Sequence, residues 1–148
     1  MQEKKDVTMY PATAVIIFDE QKRILFRKRK EFGLWGLPTG YPLPGETIEE
    51  TAKKAVRNET GLKVELTKII GVYSDPYSQT FEYPTGEFVQ FVTTYLLGIV
   101  VDGNAMPSQK EVTEVQFFGP HELPEDLMPL PPRWLVDAFA NQDAAFIR

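Results

Sequence analysis

Apolar and polar positions along the chain fall into two periods. Ala12 to Phe18 (ATAVIIF) is an unbroken, β-branched apolar run and reads as a buried strand. Asp19 to Lys22 is a turn, and Arg23 to Arg29 (RILFRKR) is a second strand, so the two are expected to form an antiparallel hairpin. Residues 1 to 11 are mixed and polar, a frayed lead-in or a short edge strand. From residue 47 the period lengthens. Ile48, Ala52, Ala55 and Val56 form one apolar stripe at 100° per residue. Thr47 with Glu50 three residues on has capping-box spacing, and Gly61 suits a left-handed helix end. A helix from about Thr47 to Thr60 follows. Lys63 to Tyr73 returns to β formers, with a kink or bulge expected at Gly71. Residues 75 to 86 read as a long loop with three aromatics. Phe88 to Val101 is the longest apolar run, and its β-branched content makes it a central strand. Asp102 to Lys110 is a loop, Glu111 to Phe118 an alternating strand, and Gly119 to Pro132 a proline-rich connection. A last helix, Arg133 to about Asn141, presents Trp134, Leu135, Ala138 and Phe139 as its apolar face. The order predicts an α+β fold, a mixed sheet with helices on its two faces, as a single domain over residues 1–148.

Composition narrows the class. With 148 residues, 43% hydrophobic and 25% charged, the chain is of globular type and long enough for a real core. No apolar run approaches the roughly 20 residues that span a bilayer, and the N-terminus has no signal-peptide core, so no membrane association is expected. There are no cysteines, hence no disulfide or thiolate metal site, and a cytoplasmic location is the default expectation. A formal net charge of −5 disfavours general nucleic-acid binding but leaves room for a small anion in a local basic pocket.

Four features bear on chemistry. Glu59 projects into the apolar stripe of the central helix, where a carboxylate is costly unless it is paired or binds a cation. As a lone carboxylate it would be replaceable by Ala at little cost in stability. Arg27 and Arg29 share a strand face. They read either as a charged strand end in water, the favoured reading, or as guanidinium contacts to a ligand phosphate. Tyr77, Phe81 and Tyr83 are suited either to stacking on a base or to covering the core edge. The single histidine, His121, has no partner motif and carries little weight.

Residues 34 to 62, LWGLPTGYPLPGETIEETAKKAVRNETGL, resemble the Nudix family. The family pattern is a Gly, five residues, a Glu, seven residues, then Arg-Glu-apolar-x-Glu-Glu-x-Gly-apolar. Gly40, Glu46, Val56, Glu59 and Gly61-Leu62 match it in register, and Trp35-Gly36-Leu37-Pro38 is similar to the family's lead-in. Three positions depart: Lys54 stands for the Arg, Ala55 for the first Glu and Asn58 for the second. The resemblance implies a Nudix α/β/α sandwich over nearly the whole chain, with a small nucleotide derivative as ligand. It also implies Mg2+ or Mn2+ held by box carboxylates, here Glu46 and Glu59. With Ala55 and Asn58 in the box, metal binding is expected to be weak. Glu59 is then the catalytic candidate, with Glu111 or Glu114 as rescuing ligand or base. Arg27, Arg29, Gly40, Tyr77 and Phe81 are the candidate ligand contacts. Three functions follow: an active metal-dependent hydrolase, a binding module with hydrolysis weakened or lost, and a non-catalytic scaffold for partners or a homodimer.

Overall fold

The β-branched residues of the first strand run further toward the N-terminus than the sequence pattern suggested. In the computed structural model, which describes residues 6–148, β1 covers Val7–Ile17 and the first five of these residues are exposed. The rest of the expected lead-in lies outside the described residues. Strand β2 is Ile24–Arg29, β3 is Trp35–Gly36 and β4 is Thr39–Gly40, the last two formed inside the turn-rich stretch that precedes the central helix. Helix α1 is Ile48–Thr60, followed by β5 (Lys63–Tyr73), the single-turn α2 (Pro76–Gln79), β6 (Thr80–Glu82) and β7 (Phe88–Asp102). Strand β8 (Val112–Phe118), helix α3 (Trp134–Phe139) and β9 (Phe146–Ile147) complete the chain.

The expected hairpin of the first two strands is corrected. Only a single bridge, Phe18 to Ile24, joins them. Both edges of β1 are taken, by β4 antiparallel and by β7 in parallel, in a six-stranded sheet of order β4-β1-β7-β5-β9 with β6 beside β7. Strand β2 is likewise filled on both sides by β3 and β8 in a second, three-stranded sheet. The long loop expected at residues 75–86 instead holds α2 and β6, and β9 was not foreseen. Gly71 does mark a register shift, and it admits β9: a Cβ there would sit 2.9 Å from the Phe146 carbonyl oxygen.

Side-chain alternation then builds the layers. Ala14, Ile16, Ile24 and Phe26 pack with Trp134 and Ala138 of α3, while Val15, Ile17 and Leu25 pack with Ala52 and Val56 of α1. The result is the expected sandwich, a mixed sheet between helices. Helix α1 ends where its local chemistry predicts: the Glu50 amide donates to Thr47 Oγ1 at 3.1 Å, and Gly61 is left-handed at φ 75°. Ile48 departs from the expected stripe and is exposed, at the first residue of α1.

Helix α3 is shorter than predicted and hides a polar clamp. Asp137 is buried and accepts from Tyr73 Oη at 2.6 Å, from Arg148 Nε at 3.1 Å and from Arg148 Nη2 at 3.0 Å. Burial works to raise the Asp137 carboxyl, but the hydrogen bonds from Arg148 and Tyr73 outweigh it and leave it below its usual value of 3.8. A depressed carboxylate contributes stability above its unfolded pKa and loses it as pH falls through the folded one. Melting temperature is therefore expected to drop more steeply below pH 3.8 in the wild type than in Asp137→Asn, whose melts already lack the ion pair. Equal acid slopes for the two proteins would refute the clamp's contribution.

Candidate functional site

The turn-rich stretch is tied to the helix it precedes. Glu46 accepts from the Leu43 amide at 2.9 Å, from Thr51 Oγ1 at 3.3 Å and from Lys54 Nζ at 3.0 Å. The Leu43 amide first, then Lys54, hold its carboxyl below the usual range. Gly40 lies flat on α1, where a Cβ would come within 3.0 Å of both Ala55 Cβ and Thr51 Cγ2. Any side chain here would lift β4 from the helix.

Glu59 is not a lone carboxylate. Its Oε2 accepts from Arg27 Nε at 2.6 Å and its Oε1 from the Thr39 amide at 3.0 Å. Arg27 is 2% exposed, so the favoured reading of it as a solvated strand end is corrected. The reason is topological: β2 is the inner strand of its sheet, and its register turns Arg27 toward α1 rather than toward water. Gly36 leaves the space that the guanidinium needs, since a Cβ there would meet Arg27 Nη1 at 2.6 Å. Arg27 Nη1 and Arg29 Nε are buried without a hydrogen-bond partner among the described residues. Buried unsatisfied donors are costly and mark places where a ligand or water completes the set.

Two joined cavities surround this ion pair. One, of about 250 Å3, is walled by Phe32, Tyr41, Phe81, Tyr83, Phe91 and Tyr95 over a floor that includes Ala12 and Ala14, with Arg27 and Arg29 contributing charge. The other, of about 330 Å3, lies against α1 and is lined by Glu46, Lys54, Ala55, Asn58, Glu59 and Glu111 among others. Arg29, Thr39 and Tyr41 line both.

The sequence-predicted residues divide accordingly. Glu59, Glu111, Glu46, Gly40 and the departing positions Lys54, Ala55 and Asn58 all meet at the helix cavity. Glu114 does not: it is exposed and pairs at 3.6 Å with Lys28. Phe81 and Tyr83 face the aromatic cavity, whereas Tyr77 is 98% exposed and lines neither. His121 is exposed and away from both. Sequence reasoning missed Tyr41, Gln79, Phe91 and Thr93. Tyr41 alone had a local signal, its place next to Gly40 in the lead-in.

The resemblance carried by residues 34–62 implies a divalent metal, and the donor set here fits one poorly. No group of three or more His, Cys, Asp or Glu side chains converges as a metal site among the described residues. Glu46 and Glu59 already have their oxygens engaged, which leaves Glu111 as the remaining carboxylate on the helix cavity. No helix among the described residues is long and apolar enough to cross a membrane.

A mixed sheet between helices, with a loop-helix unit walling a cavity, is a Nudix-type α/β/α sandwich. The chain belongs to the Nudix family, matching the NUDIX domain over residues 9–138. It is 32% identical over 123 residues to the "Putative 8-oxo-dGTP diphosphatase" of Bacillus subtilis, covering 83% of this chain and 75% of that protein. It is 31% identical over 127 residues to the ADP-ribose pyrophosphatase of Methanocaldococcus jannaschii, covering 83% and 70%. Among solved structures, a UDP-X diphosphatase superposes with a TM-score of 0.79 at 18% identity, covering 98% of this chain and 70% of that one, a likeness of fold.

Proposed function

We propose that this chain binds a nucleoside diphosphate derivative across the two cavities and hydrolyses its diphosphate slowly or not at all. The observation that carries the reading is the junction: Arg29, Thr39 and Tyr41 line both cavities, so one ligand can place its ring among the aromatics and its phosphates beside α1. The relatives support the ligand class, since their names describe an ADP-ribose pyrophosphatase and an 8-oxo-dGTP diphosphatase. The box composition supports the weak chemistry. Ala55 offers no ligand and Asn58 only a neutral carbonyl, while the Glu59 carboxylate is neutralised by Arg27. What the chain's own residues do is hold: Arg29 supplies charge at the junction, Lys54 and Glu46 fix the loop, and Thr39 and Arg27 fix Glu59.

A second reading, an active hydrolase, is favoured by Glu111, which reaches the helix cavity from the start of β8 and is free of ion pairing in the described residues. Calorimetry and product analysis separate the two. Magnesium alone should show no stoichiometric binding, whereas ADP-ribose, ADP or dGTP should bind and remain intact over hours. Tight magnesium binding to the free protein, or brisk turnover of any of these that Glu111→Gln abolishes, would replace the first reading with the second. No binding of any nucleotide would sink both.

A further inference from the structure

The aromatic cavity contains a buried polar pair that the phosphate end does not explain. Gln79, at the end of α2, is 5% exposed, and Thr93, on β7, is likewise 5% exposed. Both line the cavity. Thr93 Oγ1 donates to Gln79 Oε1 at 2.7 Å, and Gln79 Nε2 donates to the Ser78 carbonyl at 3.2 Å. The further contact from Nε2 to Ser78 Oγ is 3.5 Å, the outer limit of a hydrogen bond. A primary amide has two donor protons and two acceptor lone pairs. Each end of Gln79 therefore keeps one strong site unused, in a cavity whose other walls are mostly rings and aliphatic chains.

The placement is specific. Across the floor, Thr39 of β4 pairs with Ala14 of β1, Ala14 pairs with Tyr95 of β7, and Ala12 pairs with Thr93. The guanidinium groups stand on the β4 side, and Gln79 stands beyond Thr93 on the β7 side. Ala12 and Ala14, the smallest apolar side chains, leave the floor between them open. A planar ring lying there would have its charged substituent at the arginines and its far edge at Gln79.

We infer that Gln79, oriented by Thr93, is a specificity-determining residue that reads the hydrogen-bonding edge of a nucleobase held in the aromatic cavity. This rests on the nucleotide reading above. A site built to hydrogen-bond a polar edge rejects a ligand lacking it, because the buried amide is then left unpaired.

The test is calorimetry of the wild type, Gln79→Met and Gln79→Glu against ADP, GDP, CDP, UDP and inorganic pyrophosphate. The wild type should rank the four nucleotides. Gln79→Met, similar in size but without the amide, should weaken the preferred one about tenfold and flatten the ranking. Gln79→Glu still accepts from Thr93 but has lost the donor, and should reorder the ranking. Pyrophosphate, which reaches only the arginine end, should bind all three proteins alike. An analogue arm needs no variant: purine-riboside 5′-diphosphate, with no exocyclic group on its six-membered ring, should bind the wild type about tenfold more weakly than the better of ADP and GDP. An unchanged ranking in the folded variants, or equal binding of that analogue, overturns the inference while leaving the nucleotide reading intact. Nucleotides that bind no better than pyrophosphate overturn the nucleotide reading itself, and the inference with it.

Discussion

Glu59→Ala is expected to destabilise the fold by about 3–5 kcal/mol, the range for removing one partner of a buried ion pair. The substitution strands Arg27, which is 2% exposed, as an unpaired cation and leaves the Thr39 amide without its acceptor. This reverses the expectation from sequence that a carboxylate on the apolar stripe would be dispensable. Glu59→Gln keeps the shape and one acceptor but not the charge, so its loss should be smaller. Arg27→Met combined with Glu59→Leu should recover most of the stability of Glu59→Ala, because the isolated charge rather than the lost attraction dominates the cost. Urea denaturation of the four proteins measures all of this. A Glu59→Ala midpoint at the wild-type value would mean that water reaches Arg27, and the pair would lose its structural standing.

Ala55→Glu together with Asn58→Glu should raise magnesium-dependent hydrolysis of the nucleotide panel by on the order of 100-fold, about 2.7 kcal/mol of the several that charge stabilisation by a metal ion can supply. Positions 55, 58 and 59 line the same cavity, so the new carboxylates would stand beside Glu59 as the family pattern has them. Neither single variant completes the set, and the double is expected to exceed the sum of the two. Ala55 is tightly placed against Gly40, and like charges would crowd Glu59, so the double should melt earlier without metal. Magnesium should restore the difference by binding only the folded state. If the double folds, is stabilised by magnesium and still hydrolyses nothing, the pocket around the box has also left catalysis behind.

What was legible in the sequence was what is local. Thr47, Glu50 and Gly61 set the ends of α1 through contacts within a few residues of themselves. The matched box therefore placed Gly40, Glu46 and Glu59 together at the helix cavity. What was not legible depends on pairing at a distance. Nothing in RILFRKR says that β2 lies between β3 and β8, yet that neighbourhood buries Arg27 and leaves Arg29 at the junction. Tyr77 and Phe81 are equivalent as letters in one loop. Pro76 starts α2 and Tyr77 stands outward, while Phe81 in β6 pairs with Val89 of β7 and faces Phe91 at 5.9 Å between ring centroids. Glu111 and Glu114 were indistinguishable as acidic residues near a strand start, and only the register with Lys28 separates them.

The parallel pairing of β1 with β7, Val7 opposite Phe88 through Ile17 opposite Gly98, has a consequence for how the chain is made. Strand β1 must wait for a partner strand that lies 81 residues further along. At roughly 5–20 residues per second of synthesis, β1 spends several seconds outside the ribosome with its longest edge unpaired. Its core half, ATAVII, is the kind of uncharged β-branched segment that recruits other chains. Nascent chains halted between β5 and β7 should be the aggregation-prone species, and an occupant that shields that edge, such as a chaperone, would raise yield without touching the finished fold.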